Sequence, residues 1–115
     1  MFVGLCSIEL LIPTSRSLKA KRSVVQRIKG RLIRRFQASV AETGYQDLWQ
    51  RSLLGVALVG SGPSRLQNVL EEIRRAVESE AEIEILRWSA EVHEYDPDAE
   101  WGFSGRETDD GDGGP

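Results

Sequence analysis

The sequence predicts one α+β domain of order βαββαβ, followed by a short acidic tail, and three observations predict it. Residues 2–12, 52–60 and 83–95 are runs rich in β-forming residues, with a shorter one at 37–42. Residues 15–36 and 63–79 instead repeat apolar side chains at helical spacing. Pro13, Thr43-Gly44 and Gly60-Ser61-Gly62-Pro63 punctuate the boundaries. Two helical crossovers and one central hairpin give a split-βαβ, ferredoxin-like two-layer sandwich: a four-stranded antiparallel sheet with both helices on one face. The first and third strands lie side by side in its middle.

In the first run the even positions Phe2, Cys6, Ile8, Leu10 and Ile12 form an apolar face, and the odd face is half apolar, as a central strand requires. In the helix that follows, Leu18, Val25, Ile28, Leu32 and Phe36 fall on one side, with Val24 on its flank, and Ser15 or Ser17 can cap its start. Arg27 and Arg34 point away, with Lys19, Arg22 and Arg31 around them. Lys21 and Lys29 lie near the stripe and must extend their stems to reach water. SLLGVALVG reads as a second central strand. Pro63 opens the second helix, with Ser61 or Gly62 as its cap, and Leu66, Val69, Leu70, Ile73 and Val77 form its stripe. In the last strand the apolar parity changes from Ile83 and Ile85 to Leu86, Trp88, Ala90 and Val92, which predicts a bulge near Leu86.

Charge is unevenly placed. Residues 15–36 hold nine of the fifteen Lys and Arg residues, and no acid lies between Glu9 and Glu42. Residues 1–95 carry 14 basic and 11 acidic side chains, whereas 96–115 carry one and seven. The domain is therefore positive and the tail, ending ETDDGDGGP, has the composition of a disordered segment. Trp101 and Phe103 sit among its acids, so it either folds back on the basic helix or merely solubilises the chain.

Cys6 and His93 are single, which excludes an intramolecular disulfide and an ordinary zinc site built from one chain. The apolar opening is interrupted by Glu9 and too short to span a bilayer, so it reads as neither a signal peptide nor a membrane helix. A reducing cytoplasm is the simplest home. GSGPSR has two glycines but no P-loop lysine, and no cofactor motif is present.

Three surfaces remain. On the basic helix, Arg27, Arg31 and Arg35 are like charges at successive i,i+4 spacings, each pair costing roughly 0.2–0.5 kcal/mol. An anionic partner would relieve them; the plainer reading is a solvated face. In YQDLWQR, Trp49 offers a stacking plane and Arg51 a forked cation, or else Trp49 covers the sheet end while Asp47 and Arg51 pair locally. On the sheet face away from the helices, the third strand lacks the interleaved aromatics of an RNA-recognition domain, and Glu9 faces out from the first. A second copy or another protein would suit that face better. The loop PTSRSLK puts Arg16 and Lys19 at a helix start, as in acylphosphatases, but the glycine-rich loop and partner asparagine of those enzymes are absent.

The strings VGLCSIELLIP, SRSLKAKRSVVQRIKGRL, SVAETGYQDLWQR and LGVALVG, in this order and spacing, resemble the YlxP-like family of small bacterial proteins, a domain of unknown function numbered 503. The resemblance spans about residues 1–95. It implies a ferredoxin-like fold, cytoplasmic residence and a link to ribosome maturation or RNA handling, because family genes commonly lie among those for transcription and translation factors. It implies no reaction and no catalytic residues.

The expectation is a non-enzymatic module that binds RNA or a ribosomal particle. Arg16, Lys19, Lys21, Arg22, Arg27, Arg31 and Arg34 would meet phosphates, with Trp49 and Arg51 against a base or a protein surface. The alternatives are a homodimer formed through the open sheet face and an anion-binding, acylphosphatase-like enzyme. Neither a metal nor a membrane is expected.

Overall fold

The computed structural model describes residues 1–99 and the backbone of 103–107; residues 100–102 and 108–115 are outside it. The elements are β1 (Phe2–Leu11), α1 (Leu18–Phe36), β2 (Ser39–Gly44), β3 (Arg51–Gly60), α2 (Pro63–Glu78), β4 (Glu84–Tyr95) and β5 (Phe103–Glu107). The sheet is antiparallel throughout, in the order β2-β3-β1-β4-β5. Its first four strands and the two helices form the ferredoxin-like sandwich that the sequence predicts. β1 lies between β3 and β4, with Ile8 opposite both Leu54 and Trp88.

The period-2 pattern sets which face is buried. Cys6, Ile8 and Leu10 of β1 and Ser52, Leu54, Val56 and Leu58 of β3 point to the helices. They meet Val24, Val25, Ile28 and Leu32 of α1 and Leu66, Leu70, Ile73 and Val77 of α2. Burial pushes the Cys6 thiol up to about 12. In β4 the register steps from Glu9↔Arg87 to Leu10↔Ile85, so Leu86 is the bulged residue and is left exposed. Ser17 caps α1 by accepting the Ala20 N–H at 3.0 Å, and Gly62 precedes Pro63 at the start of α2 without a side-chain cap.

Two boundaries differ from expectation. β2 begins at Ser39 rather than Gln37, because Gln37 caps α1 in the left-handed region (φ 56°), its N–H donating to Ile33. The strand then runs past Thr43 to Gly44 over a bulge, and the turn starts at Tyr45. The larger correction concerns the tail. Residues 103–107, expected to be disordered, form β5, whose backbone pairs with β4 at His93↔Glu107 and Tyr95↔Phe103. Edge-strand hydrogen bonding is sequence-tolerant, so a short glycine-containing segment within an acidic tail can satisfy it. The expected roles of Trp101 and Phe103 as aromatic side chains lie outside the described residues.

Candidate nucleic-acid interface

α1 enters the domain beside the loop that joins β2 to β3, and the first fully buried side chain of its inward face is a lysine. Lys21 is fully buried. From the sequence its stem is expected to reach water and its ammonium to meet phosphate; the fold instead directs it inward. Its Nζ shares three N–H groups among four acceptors, Glu42 Oε2 at 2.9 Å and the carbonyls of Tyr45, Gln46 and Arg51 at 2.8, 3.1 and 3.2 Å. Ser52 Oγ donates to the same Glu42 oxygen at 2.7 Å. A buried ammonium is tolerable only when paired and fully hydrogen-bonded, and this one is.

The consequence is a fixed loop. Tyr45 holds a left-handed φ of 60°, uncommon for a non-glycine residue, and the bond from Lys21 to its carbonyl helps hold the chain there. Gln50 Nε2 donates to the carbonyls of Pro13 and Ser15 at 2.9 and 3.1 Å, and the Ile12 N–H donates to the Gln50 carbonyl at 2.8 Å. Residues 45–51 are thus stitched to the segment that leads into α1. Trp49, at 56% exposure, and Leu48 project from this loop into solvent. Arg51 lies on the sheet face, paired with Glu9 and with its guanidinium 5.0 Å from the Tyr45 ring centroid. Its Nε is buried without an acceptor among the described residues, and the guanidinium plane rests on the ring.

The other predicted cations divide into two groups. Arg27 pairs with Glu80 and Glu82 at 3.3 and 2.7 Å, and Arg31 with Glu80 at 2.7 Å and the Ser79 hydroxyl at 3.3 Å. The hydrogen bond to Glu82 is the main cause that raises the pKa of Arg27. The repulsion along α1 is therefore offset within the chain, by acids just after α2. Arg16, Lys19, Arg22 and Arg34 are exposed and enter no ion pair among the described residues. Gln50, the neighbour of Trp49, donates to the carbonyl preceding Arg16, so Arg16, Lys19 and Arg22 share one end of the molecule with the tryptophan. Arg34 lies at the other end of α1, folded back over Gly30.

Glu42, Gln50 and Ser52 were missed as supports of the site. Two signals were present: a lysine near an apolar helical stripe, and an acid on the same strand parity as inward-facing Val40. An inward lysine and an inward glutamate are expected to find each other. Among the described residues no cluster of three or more His, Cys, Asp or Glu side chains is placed to hold a metal ion, and no helix is long and apolar enough to cross a membrane.

The two strings that carry the family resemblance therefore meet at one point: SLKAKR supplies Ser17, Lys19, Lys21 and Arg22, and QDLWQR supplies Trp49, Gln50 and Arg51. The family model described as a protein of unknown function (DUF503) matches residues 3–90. The chain belongs to the DUF503 family. Among its relatives is the uncharacterised protein YlxP of Bacillus subtilis (strain 168), 38% identical over 82 residues, which are 71% of this chain and 89% of that protein. The DUF503 match includes the Lys21 clasp and ends within β4, so β5 lies outside it.

Proposed function

We propose that this DUF503 protein is a non-enzymatic, cytoplasmic module that binds RNA, free or in a ribosomal particle, through Trp49 and the cations around the start of α1. The observation that carries the reading is an exposed indole on a loop tied down by Lys21 and Gln50, at the same end of the molecule as Arg16, Lys19 and Arg22, none of which enters an ion pair among the described residues. A loop backbone already held by hydrogen bonds has little left to order on binding; stacking of the indole on a base is worth roughly 1–3 kcal/mol, while neighbouring cations take the phosphates. Arg27 and Arg31, already paired, contribute little to it.

The test is RNA binding as a function of salt. Single strands give a slope of about −0.7 per phosphate neutralised, so R16A/K19A should be shallower by about 1.4. W49A should weaken binding by roughly 1–3 kcal/mol at every salt concentration. Parent-like affinity and slope in both variants would reject the reading.

A second reading, a homodimer through the open sheet face, is favoured by a shallow trough of about 370 Å³ whose lining includes Ser7, Ser39, Ala41, Gly55 and Ala57. Leu5 and Val59 stand exposed on the same face, at 38% and 69%. Sedimentation decides it: a dimer that V59D dissociates supports this surface, and a monomeric parent removes it.

A further inference from the structure

At the far end of α1 a groove of about 720 Å³ opens between its C-terminal turn and the first half of α2. Arg35, Gln37, Arg65, Asn68 and Glu72 line it, with the half-buried Phe36 and Val69 as its apolar part. Arg35 is held in place, its guanidinium 4.8 Å from the Phe36 ring centroid. Neither Arg35 nor Arg65 enters an ion pair among the described residues, in contrast to Arg27 and Arg31 on the same side of the molecule. The groove thus offers two unneutralised guanidiniums and two amide donors against one carboxylate. Forked guanidinium donors suit phosphate oxygens, and the amides can complete the shell.

We propose that this groove is a second phosphate site, which takes the backbone of the same RNA at a distance from Trp49. The identity of the ligand rests on the nucleic-acid reading above; the residues do not overlap with that site. α1 has 19 residues, so the two cationic ends stand about 28 Å apart. The paired Arg27 and Arg31 lie between them. A single nucleotide can fill only one end, so the partner is a polymer long enough to span the helix.

The full chain and its R35A/R65A variant are titrated with a single-stranded RNA of that span, reading the salt slope and the side-chain amide signals. The parent should show shifts at Gln37 and Asn68, and the variant should lose them and give a slope shallower by about 1.4. Silent amides and an unchanged slope overturn the groove even where W49A weakens binding. If RNA does not bind the parent at all, the reading centred on Trp49 fails separately, and pyrophosphate decides for the groove. Saturable shifts at Gln37 and Asn68 that the variant lacks support a phosphate site; flat titrations overturn it.

Discussion

Lys21 Nζ and Glu42 Oε2 lie 2.9 Å apart, the lysine with no exposed surface, joining the first turn of α1 to the edge strand β2. Removing one partner of a buried pair costs roughly 3–5 kcal/mol, because the other is left uncompensated. K21M keeps the length of the stem but leaves Glu42 without its counter-charge and takes the ammonium from the carbonyls of Tyr45, Gln46 and Arg51. It should lower the unfolding free energy by that amount in urea titrations and raise hydrogen exchange in residues 45–51. A variant within about 1 kcal/mol of the parent would contradict the clasp.

Arg27 is half exposed, and surface pairs of this kind are worth roughly 0–1 kcal/mol. R27A should therefore change stability by no more than that and leave the salt slope of RNA binding at the parental value. A slope shallower by about 0.7 would show that the pairing with Glu80 and Glu82 opens when RNA binds.

Gly30 sits inside α1, where alanine is favoured by roughly 0.5–1 kcal/mol. An added Cβ would meet the Arg34 guanidinium, with Nη1 nearest at 2.9 Å, the far end of a flexible side chain that can swing into water. G30A should stabilise the protein by that amount in chemical denaturation. A destabilised variant would mean that the seat of Arg34 over Gly30 matters more than helix propensity.

The Cys6 thiol ordinarily ionises near 9.0, and burial pushes it up to about 12. Between those values the folded chain holds a proton that the unfolded chain has lost. Stability therefore falls as pH rises through that window, by up to about 1.4 kcal/mol per unit from this group. C6A should remove that component of the slope, seen as a flatter urea midpoint above pH 9.0. In the native parent, Cys6 should resist thiol reagents at neutral pH until the chain is unfolded. Rapid labelling of the native chain would mean that β1 opens locally.

The layers of the fold were legible because each rests on a local period. Alternation in β1, the continuous apolar run of β3, the stripe of α2 and the parity change that placed the bulge at Leu86 are all set by neighbours within a few positions. The clasp was hidden for the opposite reason. A charge run reads as a solvated face unless one member falls inward, and whether Lys21 extends to water or to Glu42 depends on a strand 21 residues away. β5 was missed because its composition describes its side chains, whereas its place in the sheet comes from backbone donors and acceptors that β4 offers at its edge.

The clasp also limits how the loop can be moved. Residues 45–51 take their shape from an ammonium that belongs to another element, so transplanting them onto a different two-layer scaffold would carry Trp49 without its support. The portable unit is the loop together with Lys21, Glu42 and the turn that brings Ser15 under Gln50. Redesigning the tip for a new ligand is best confined to Asp47, Leu48 and Trp49, which take no part in the bonds that Lys21 makes.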